Sequence, residues 1–427
     1  MFVDEVFGIS PDLRESSYID RGDLDSRLKK SLRRTNHVAL RGPSKSGKSW
    51  LRQKVIDNPI VVQCRLNKSF IDIYVDALSQ LGIKLTIKSS EEGKLKGAVK
   101  ASGTLGSALL QKVGLAVELS GTKADSAEHE PVGQDIDDLR YIADILKASG
   151  RRLVIEDFHY MSTEDRRNFA FDLKALWDYQ YYVVIIGVWS ETNLLLHLNT
   201  DLSGRVREIS VHWSERDLER IIEKGSKKLN IEIQSNVKKS LVELAYTNAG
   251  VLQSLIVYTL DEANIEERKI KKQYLKDIQF VESAAMFYAE QLNPIYQQFS
   301  KLVSSGIRSR PKSTGIYAYA METIMSASDE TLIRGYKAKD IYEVAHRKQN
   351  RIQLGNLKTI LEKIPSLQVD KDGRGLILTY NTATEEVSVV DRQLLLYRRF
   401  LTISWPWEEI IKNDENIEEE LEGDSQE

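Results

Sequence analysis

Short apolar runs and longer amphipathic stretches alternate along the first half of the chain. Five of the runs are rich in β-branched residues and about five to seven residues long, which predicts buried strands. They span residues 37–41, 60–64, 153–157, 182–188 and 207–211. The stretches between them repeat apolar residues every three to four positions, as Leu24, Leu28 and Leu32 do before the first run, and this predicts helices. Strands that alternate with helices indicate an α/β domain with a parallel sheet covered by helices.

One stretch, residues 84–133, breaks this alternation. Glycines interrupt it repeatedly, and its apolar residues follow no steady period. A connection of this length without secondary structure is unusual and tends to be a functional or disordered loop. Lys100, Lys112 and Glu118 interrupt its apolar residues, which disfavours a membrane-inserting segment. We predict a mobile insertion close to the functional site of the α/β domain.

The C-terminal part of the chain predicts a different arrangement. Three amphipathic stretches indicate helices at 315–326, 338–347 and 354–364. The pair Asp372-Gly373 then lies between the apolar runs 367–369 and 376–380, which is a good signal for a hairpin. Three helices followed by a hairpin are typical of a winged helix, which we place at residues 312–404.

The first predicted strand leads into a glycine-containing loop. Residues 42–49 match the phosphate-binding pattern G-x-x-x-x-G-K-[ST] at every fixed position. A strand, this loop and a following helix direct backbone N–H groups and a helix N-terminus at phosphate. Lys48 is expected to reach the β- and γ-phosphates of ATP, and Ser49 to bind Mg²⁺ through its hydroxyl. The residues predicted to contact the nucleotide are Gly42, Ser44, Lys45, Ser46, Gly47, Lys48, Ser49 and Trp50.

Two carboxylates, Glu156 and Asp157, end the predicted strand 153–157. Downstream of a complete phosphate-binding loop, such a pair is typical of a Walker B motif, in which one carboxylate holds Mg²⁺ and the other orients the attacking water. Most such motifs have Asp before Glu, whereas here the order is reversed. Position assigns the metal to Glu156 and the base to Asp157, residue type assigns the opposite, and both alternatives stay open. A shorter base would lie farther from the water, so slow ATP hydrolysis is expected.

Polar residues also follow the predicted strand 182–188. A side chain at such a strand end can contact the γ-phosphate, and Ser190 is the first candidate and Asn193 the second. Either residue could instead cap the strand end by hydrogen bonding to the local backbone. A Gly204-Arg205 pair then precedes the last predicted strand.

This succession of motifs resembles the AAA+ class of P-loop ATPases. Within that class, the sequence YIDR at 18–21 and VIEDFHY at 154–160 resemble the signal-transducing STAND group and the origin-recognition-type ATPases. The resemblance covers about residues 15–290. It implies that the chain forms homo-oligomers and that residues 213–295 form a helical lid.

The same resemblance implies a role for an arginine near residue 205. Arg205 stands where an arginine finger would reach the γ-phosphate bound by a neighbouring subunit, and Arg207 is its rival. The second sensor arginine of the family is not evident, because the corresponding stretch, residues 248–253, reads NAGVLQ. Nucleotide sensing by the lid is therefore in doubt.

Composition and charge constrain location. The single cysteine, Cys64, excludes a disulfide framework and fits a reducing compartment. The N-terminus carries acids where a signal peptide needs bases, and no uncharged run is long enough to span a bilayer, so a cytoplasmic protein without membrane contact is expected. The net charge is −3, yet ten acids and one lysine lie between Glu408 and Glu427. Residues 405–427 are therefore expected to form a disordered acidic tail.

These features predict five segments and two hypotheses of function. The segments are a lead-in at 1–34, an ATPase core at 35–212 that contains the insertion 84–133, a lid at 213–295, the winged helix at 312–404 and the tail at 405–427. The first hypothesis is an ATP-dependent switch that assembles and regulates a separate effector protein, as in bacterial signalling or antiviral systems. The second is a DNA-bound initiator, loader or transposition regulator. In that case DNA phosphates would meet Arg351, Asn356, Lys358, Lys363 and Arg374 of the winged helix.

Overall fold

The computed structural model describes most of the chain. The described residues are 1–65, 68–89, 95–101, 103–113, 139–189, 192–305, 315–368, 376–400 and 405–412. They divide into two compact units. The sheet unit comprises Gly22–Gly42 and Lys48–Val211, and the helical unit comprises Met1–Arg21, Pro43–Gly47 and the described part of His212–Glu427.

The sheet unit is built on five parallel strands in the order β2-β5-β6-β1-β7. Its strands are β1 (His37–Arg41), β2 (Ile60–Gln63), β3 (Ile83–Ser89), β4 (Leu95–Ala101), β5 (Leu153–Glu156), β6 (Val184–Gly187) and β7 (Val206–Ser210). Every residue of β5 and β6 is buried, which explains why both read as continuous apolar runs. The prediction of a parallel, helix-covered sheet is confirmed.

The described part of the sheet unit contains seven helices. They are α1 (Leu24–Leu32), α2 (Lys48–Val55), α3 (Phe70–Ser79), α4 (Thr104–Lys112), α5 (Leu139–Ala148), α6 (Thr163–Asp178) and α7 (Leu194–Leu198). Ser162 caps α6 by accepting a hydrogen bond from the backbone N–H of Asp165, and Ser69 caps α3 in the same way through Asp72. Leu24 and Leu28 are buried on α1, as their spacing predicts. Cys64 is buried, which raises the pKa of its thiol to about 12 and leaves it a structural residue.

The prediction of an irregular insertion over 84–133 is wrong for its described part. β3 and β4 pair antiparallel from Ile83 opposite Ala101 to Ser89 opposite Leu95, and α4 follows. Gly106 lets α4 approach the preceding backbone, because an added Cβ would lie 2.2 Å from the carbonyl oxygen of Gly82. The glycines that suggested a loop therefore include one that permits close packing, and residues 114–133 lie outside the described chain.

His37 at the start of β1 is fully buried and neutral. Its Nδ1 accepts a hydrogen bond from the Val183 N–H at 3.0 Å, and its Nε2 donates to the Leu173 carbonyl at 2.8 Å. Burial, aided by the charge of Arg152 and opposed by the Leu173 bond, lowers the pKa of His37 to about 4. Protonation of Nδ1 would replace the Val183 bond with a clash of two donors.

We expect acid to destabilise the protein through His37. The unfolded chain takes up this proton near pH 6.5 and the folded chain near pH 4, so the contribution is complete above pH 6.5 and is lost as the pH falls to 4. Between pH 7 and pH 4, wild type should lose about 3 kcal/mol more unfolding free energy than His37→Gln in urea titrations. Equal losses, together with equal proton uptake on unfolding in calorimetry, would contradict this assignment.

The described part of the helical unit contains nine helices with both ends described, a further helical stretch at 406–412, and five strands. Trp407 is fully buried in that stretch, so the prediction of a disordered tail is wrong for residues 405–412. The helices are α8 (Glu215–Leu229), α9 (Ser235–Leu244), α10 (Ala249–Glu262), α11 (Gln279–Ser305), α12 (Ile316–Ser326), α13 (Asp329–Arg334), α14 (Ala338–Lys348), α15 (Leu354–Gln368) and α16 (Gln393–Phe400). The strands are β8 (Ile231–Ile233), β9 (Gln273–Leu275), β10 (Tyr336–Lys337), β11 (Leu378–Asn381) and β12 (Glu386–Val389). β8 and β9 pair parallel, whereas β10, β12 and β11 form an antiparallel sheet in that order. Among the described residues, no helix is both long enough and apolar enough to cross a membrane.

The hairpin expected around Asp372-Gly373 is wrong. Residues up to Gln368 belong to α15, and β11 pairs instead with β12 through a turn at 382–385. Gln368 is buried, and its side-chain oxygen accepts hydrogen bonds from the N–H groups of Ile377 and Leu378. The Gln368 side chain thus takes up two backbone N–H groups that a strand in the predicted hairpin would otherwise bond. Residues 369–375 lie outside the described chain.

Candidate functional site

Three successive carbonyls of the phosphate-binding loop, at residues 44–46, accept hydrogen bonds from other residues of the helical unit. Asn248 Nδ2 donates to the Ser44 carbonyl at 2.8 Å, and the Gly250 N–H donates to the Lys45 carbonyl at 3.0 Å. The Ser46 carbonyl accepts from both Arg21, at 2.8 Å, and Trp213 Nε1, at 2.9 Å. The Arg21 guanidinium also lies 3.9 Å from the centre of the Trp213 ring.

These contacts orient the opposite side of the loop. In a planar trans peptide the carbonyl of one residue points away from the N–H of the next. With three successive carbonyls held, the N–H groups of Lys45, Ser46 and Gly47 point to the other side. Gly47 has φ of +79° and Lys45 has φ of +58°, so two left-handed residues curve this backbone. Converging N–H groups on a curved backbone fit a phosphate.

Residues 248–250 occupy the stretch where the sensor arginine was missing. Asn248 caps α10 by accepting from the N–H groups of Gly250 and Val251, and its Nδ2 reaches the loop. An added Cβ on Gly250 would lie 2.5 Å from the Cβ of Lys45 and 3.0 Å from its carbonyl oxygen. This stretch therefore shapes the phosphate-binding loop through short polar contacts.

Lys48 begins α2 within the sheet unit. Its side chain is 8% exposed, and Nζ donates to the Gly42 carbonyl at 3.1 Å. Ser49 is exposed beside it at the first turn of α2. A helix N-terminus with a lysine and a hydroxyl side chain can bind an anion and its metal ion.

Glu156 at the end of β5 is paired with an arginine that sequence reasoning missed. Arg52 Nε lies 2.9 Å from Glu156 Oε1, and Glu156 is 9% exposed. Arg52 is four residues after Lys48, so it lies one turn farther along the same face of α2. That spacing could have indicated a partner for a carboxylate next to the loop.

Asp157 has an unusual backbone conformation. Its φ of +56° lies in the left-handed region, which a non-glycine residue occupies at a cost of about 1 kcal/mol. Gln63 Nε2 donates to Asp157 Oδ2 at 2.6 Å. Glu156 and Asp157 therefore have different partners, Arg52 and Gln63.

His159 lies close to this pair but is held neutral. Its Nδ1 accepts from the Val188 N–H at 3.3 Å. Burial first, and then the positive charges of Lys48 and Arg166, lower the pKa of His159 to about 3. A neutral imidazole fixed in this way is a local hydrogen-bonding group.

Glu208 on β7 anchors the segment that follows β6. Its carboxylate lies 2.7 Å from Arg41 Nε and accepts hydrogen bonds from Trp189 Nε1 at 3.3 Å and the Asn193 N–H at 3.0 Å. Asn193 is thus joined through its backbone and begins α7 with φ of +59°. Ser190, the first candidate for the γ-phosphate, lies outside the described residues.

Arg205 lies just before β7, beside the start of β1 and not beside the end of β1 that leads into Gly42. β7 pairs with β1 from Val206 opposite His37 to Ser210 opposite Arg41, and four residue steps span roughly 13 Å. The Arg205 guanidinium lies 4.8 Å from the centre of the Trp177 ring and donates to the Asp201 carbonyl. Any action of Arg205 on a γ-phosphate would therefore need a neighbouring subunit. Arg207 is exposed.

The DNA-contact candidates of the C-terminal part are only partly available. Asn356 and Lys363 are exposed on α15, and Arg351 is exposed before it. Lys358 Nζ instead lies 2.6 Å from Glu385 Oε1 in the turn between β11 and β12. Arg374 and Lys371 lie outside the described residues.

The oxygen-bearing side chains at the start of α2 and the end of β5 suit Mg²⁺ that binds together with a nucleotide. Across the described ranges, no group of three or more histidine, cysteine or carboxylate side chains is placed to hold a metal ion. Mg²⁺ at ATP sites usually takes one or two carboxylates together with phosphate oxygens and waters. Ser49 with Glu156 or Asp157 meets that requirement.

Comparison with known proteins supports the fold. No protein-family model matches the chain, and no curated protein matches its sequence. Its structure is similar to that of a Walker-type ATPase of Pyrococcus abyssi, at 14% identity over 92% of this chain and 99% of the other, with a TM-score of 0.52. The chain has the fold of a P-loop ATPase.

Two further solved structures are less similar. The Orc1 protein of Aeropyrum pernix, solved in complex with DNA, shares 13% identity over 90% of this chain and 92% of its own, with a TM-score of 0.39. The Cdc6p protein of Pyrobaculum aerophilum shares 10% identity over 96% and 98%, with a TM-score of 0.37. Of these three structures, only the Walker-type ATPase has a TM-score above 0.5.

Proposed function

We propose that this P-loop ATPase fold binds Mg²⁺·ATP and works as a switch in which the C-terminal part of the helical unit restrains the phosphate-binding loop. One observation carries the proposal. Lys45 Nζ, on the loop, donates to Gln393 Oε1, at the first turn of α16, at 2.5 Å. These residues are 348 positions apart in the chain.

Gln393 is itself fixed by a network of polar groups. Its Oε1 also accepts from the Tyr288 hydroxyl at 2.6 Å, and its Nε2 donates to both oxygens of Asp391 at 3.1 Å. The Tyr296 hydroxyl donates to Asp391 Oδ2 at 3.0 Å. Burial raises the pKa of both tyrosines, so each remains a neutral donor. A side chain held by Tyr288 and Asp391 is a rigid partner for Lys45.

The restraint can respond to nucleotide because Lys45 serves two partners. The N–H of Lys45 is on the phosphate side of the loop, while its ammonium extends to Gln393. Loss of hydration lowers the pKa of Lys45, and the charge of Asp391 opposes this. A phosphate beside Lys45 competes with a neutral amide for the ammonium, and charged acceptors form the stronger hydrogen bonds. Binding would thus weaken the contact with α16.

The remaining residues support slow chemistry. Bound Mg²⁺·ATP would supply the electrophilic γ-phosphate. Lys48 would hold the phosphates, and Ser49 would bind the Mg²⁺ ion. Arg52 occupies one oxygen of Glu156, and Asp157 is the shorter acid. Both features disfavour rapid turnover, as a switch requires.

The C-terminal elements support a winged-helix interpretation of residues 312–404. Helices α12 to α15 pack with the antiparallel sheet of β10, β12 and β11, and α16 follows. We propose that this module, released from Lys45, promotes assembly of the chain and engages a separate effector protein. A DNA-bound initiator has less support from α15, because the ion pair with Glu385 neutralises Lys358.

Replacing Gln393 should change ATP affinity. Gln393→Ala removes the acceptor of Lys45, so ATP should bind roughly tenfold more tightly, since a hydrogen bond to a charged group contributes about 1.5–3 kcal/mol. Gln393→Glu keeps an acceptor for Tyr288 and adds a charge opposite Lys45, so ATP should bind more weakly than to wild type. Calorimetric titration measures both affinities, and light scattering reports assembly.

The control for this pair is Gln353→Ala, an exposed glutamine of the same unit. It should bind ATP as wild type does. If both Gln393 variants also bind like wild type while the melting temperatures stay unchanged, α16 does not restrain the loop. That result would reject the switch and leave ATP binding intact.

A further inference from the structure

The connection between α10 and β9 carries a fully exposed apolar side chain between cations. We call residues 268–272 the basic loop. Ile270 is 105% exposed, so it has no packing at all. Four exposed cationic residues flank it on both sides, namely Arg268, Lys269, Lys271 and Lys272.

The backbone of the basic loop is firmly held. Asn230 Nδ2 donates to the carbonyls of Lys269, at 3.1 Å, and Ile270, at 3.0 Å. The Arg268 N–H donates to the Met1 carbonyl at 2.9 Å, and Gln273 Nε2 donates to the Glu267 carbonyl at 2.9 Å. Ile270 is thus held out from the surface by its neighbours. A preorganised loop loses little conformational entropy when it binds a partner.

We propose that the basic loop binds duplex DNA, with Ile270 inserted at a base step of the minor groove and the flanking cations on the phosphates. The minor groove is about 6 Å wide, and phosphates border it on both sides. Cations one and two positions either side of Ile270 can reach both borders. Single apolar side chains are the wedges that minor-groove proteins insert between bases.

The other charges around the loop define which cations act. Lys272 lies 2.8 Å from Glu232 and is already paired. Glu266 and Glu267 precede the loop and Asp277 follows it, so the contact is limited to the tip. Arg268, Lys269 and Lys271 remain as the phosphate-binding residues.

An anionic membrane fits the same loop less well. Stable attachment to a bilayer takes more than one short apolar anchor, because each buried CH₂ contributes about 0.8 kcal/mol. Ile270 is a single branched side chain at the tip. A base step needs only one such side chain, so duplex DNA is the partner that the geometry favours.

The test uses the full chain without nucleotide and a 30-base-pair duplex. Lys269→Gln combined with Lys271→Gln should weaken binding roughly tenfold in fluorescence anisotropy, and the slope of log affinity against log salt should fall by roughly two, about 0.9 for each lost contact. The matched control is Lys29→Gln with Lys30→Gln, which removes two exposed cations from α1. It should leave affinity and slope unchanged.

A second variant separates the wedge from the charges. An apolar side chain inserted at a base step kinks the duplex, so binding of wild type should bend the DNA. Ile270→Ala should abolish this bend, measured by energy transfer between dyes at the two ends of the duplex, and should leave the salt slope unchanged. Leu105→Ala, an equally simple loss of an exposed aliphatic side chain, is the control and should leave the bend intact.

Several results would overturn the proposal. The proposal is wrong if wild type does not bind duplex DNA at low salt, or if the loop variants bind duplex DNA like wild type. It is also wrong if the loop variants lose binding to phosphatidylserine vesicles but keep their binding to DNA. Equal effects of the basic-loop and α1 variants would also reject it, because they would indicate net charge alone.

Discussion

Lys48→Ala should lower ATP affinity by roughly 10³-fold without unfolding the chain. In the ATP complex, the buried ammonium of Lys48 is expected to pair with phosphate. Removing one member of a buried charged pair costs about 3–5 kcal/mol, and each 1.4 kcal/mol is a factor of ten in affinity. Lys48 contacts Gly42 at the point where β1 ends, and its loss leaves the apolar cores of both units unchanged. Calorimetric titration with Mg²⁺·ATP measures the affinity, and thermal unfolding checks the fold.

The matched control is Lys54→Ala, which removes an exposed lysine from the same helix. It should bind ATP like wild type. ATP affinity of Lys48→Ala equal to that of Lys54→Ala would show that residues 42–49 do not form the phosphate site, whatever the stability of the two variants.

Glu156→Gln and Asp157→Asn should each retain ATP binding and lose turnover, by roughly 10²–10⁴-fold for the general base. The metal ligand should also require a higher Mg²⁺ concentration, whereas loss of the base should trap an ATP-bound state. Steady-state phosphate release across a Mg²⁺ series distinguishes these outcomes and so assigns the two roles.

The control for this pair is Glu164→Gln, an exposed carboxylate in the first turn of α6. Its turnover should equal that of wild type. If Glu156→Gln and Asp157→Asn hydrolyse ATP as fast as Glu164→Gln does, neither carboxylate takes part and the Walker B interpretation is wrong.

Local sequence patterns predict those elements whose structure depends on residues that are close together in the chain. β5 and β6 read as continuous apolar runs because every residue of each is buried, and the phosphate-binding loop combines a strand, glycines and a helix start. The hairpin around Asp372-Gly373 failed because its turn signal is local, whereas Gln368 closes α15 through contacts nine and ten residues away.

The supporting contacts of the site could not be predicted in the same way. Arg52 meets Glu156 across 104 positions, and Asn248 meets Ser44 across 204. No periodicity encodes such pairs, because they depend on how separate elements pack. The contacts of Arg21, Trp213 and Gly250 with the loop carbonyls likewise have no signal in the sequence. The sequence motifs can therefore be recognised in the chain itself, whereas the groups that contact the loop carbonyls cannot.

The long chain separation between Lys45 and Gln393 has a consequence for protein synthesis. At 5–20 residues per second, roughly 20–70 s pass between translation of the phosphate-binding loop and translation of Gln393. Throughout that interval a nascent chain can carry residues 42–49 but not Gln393. Under the proposed switch, a ribosome-bound chain would therefore meet ATP before the contact of Lys45 with Gln393 can form, and the restraint would begin only once α16 has been made.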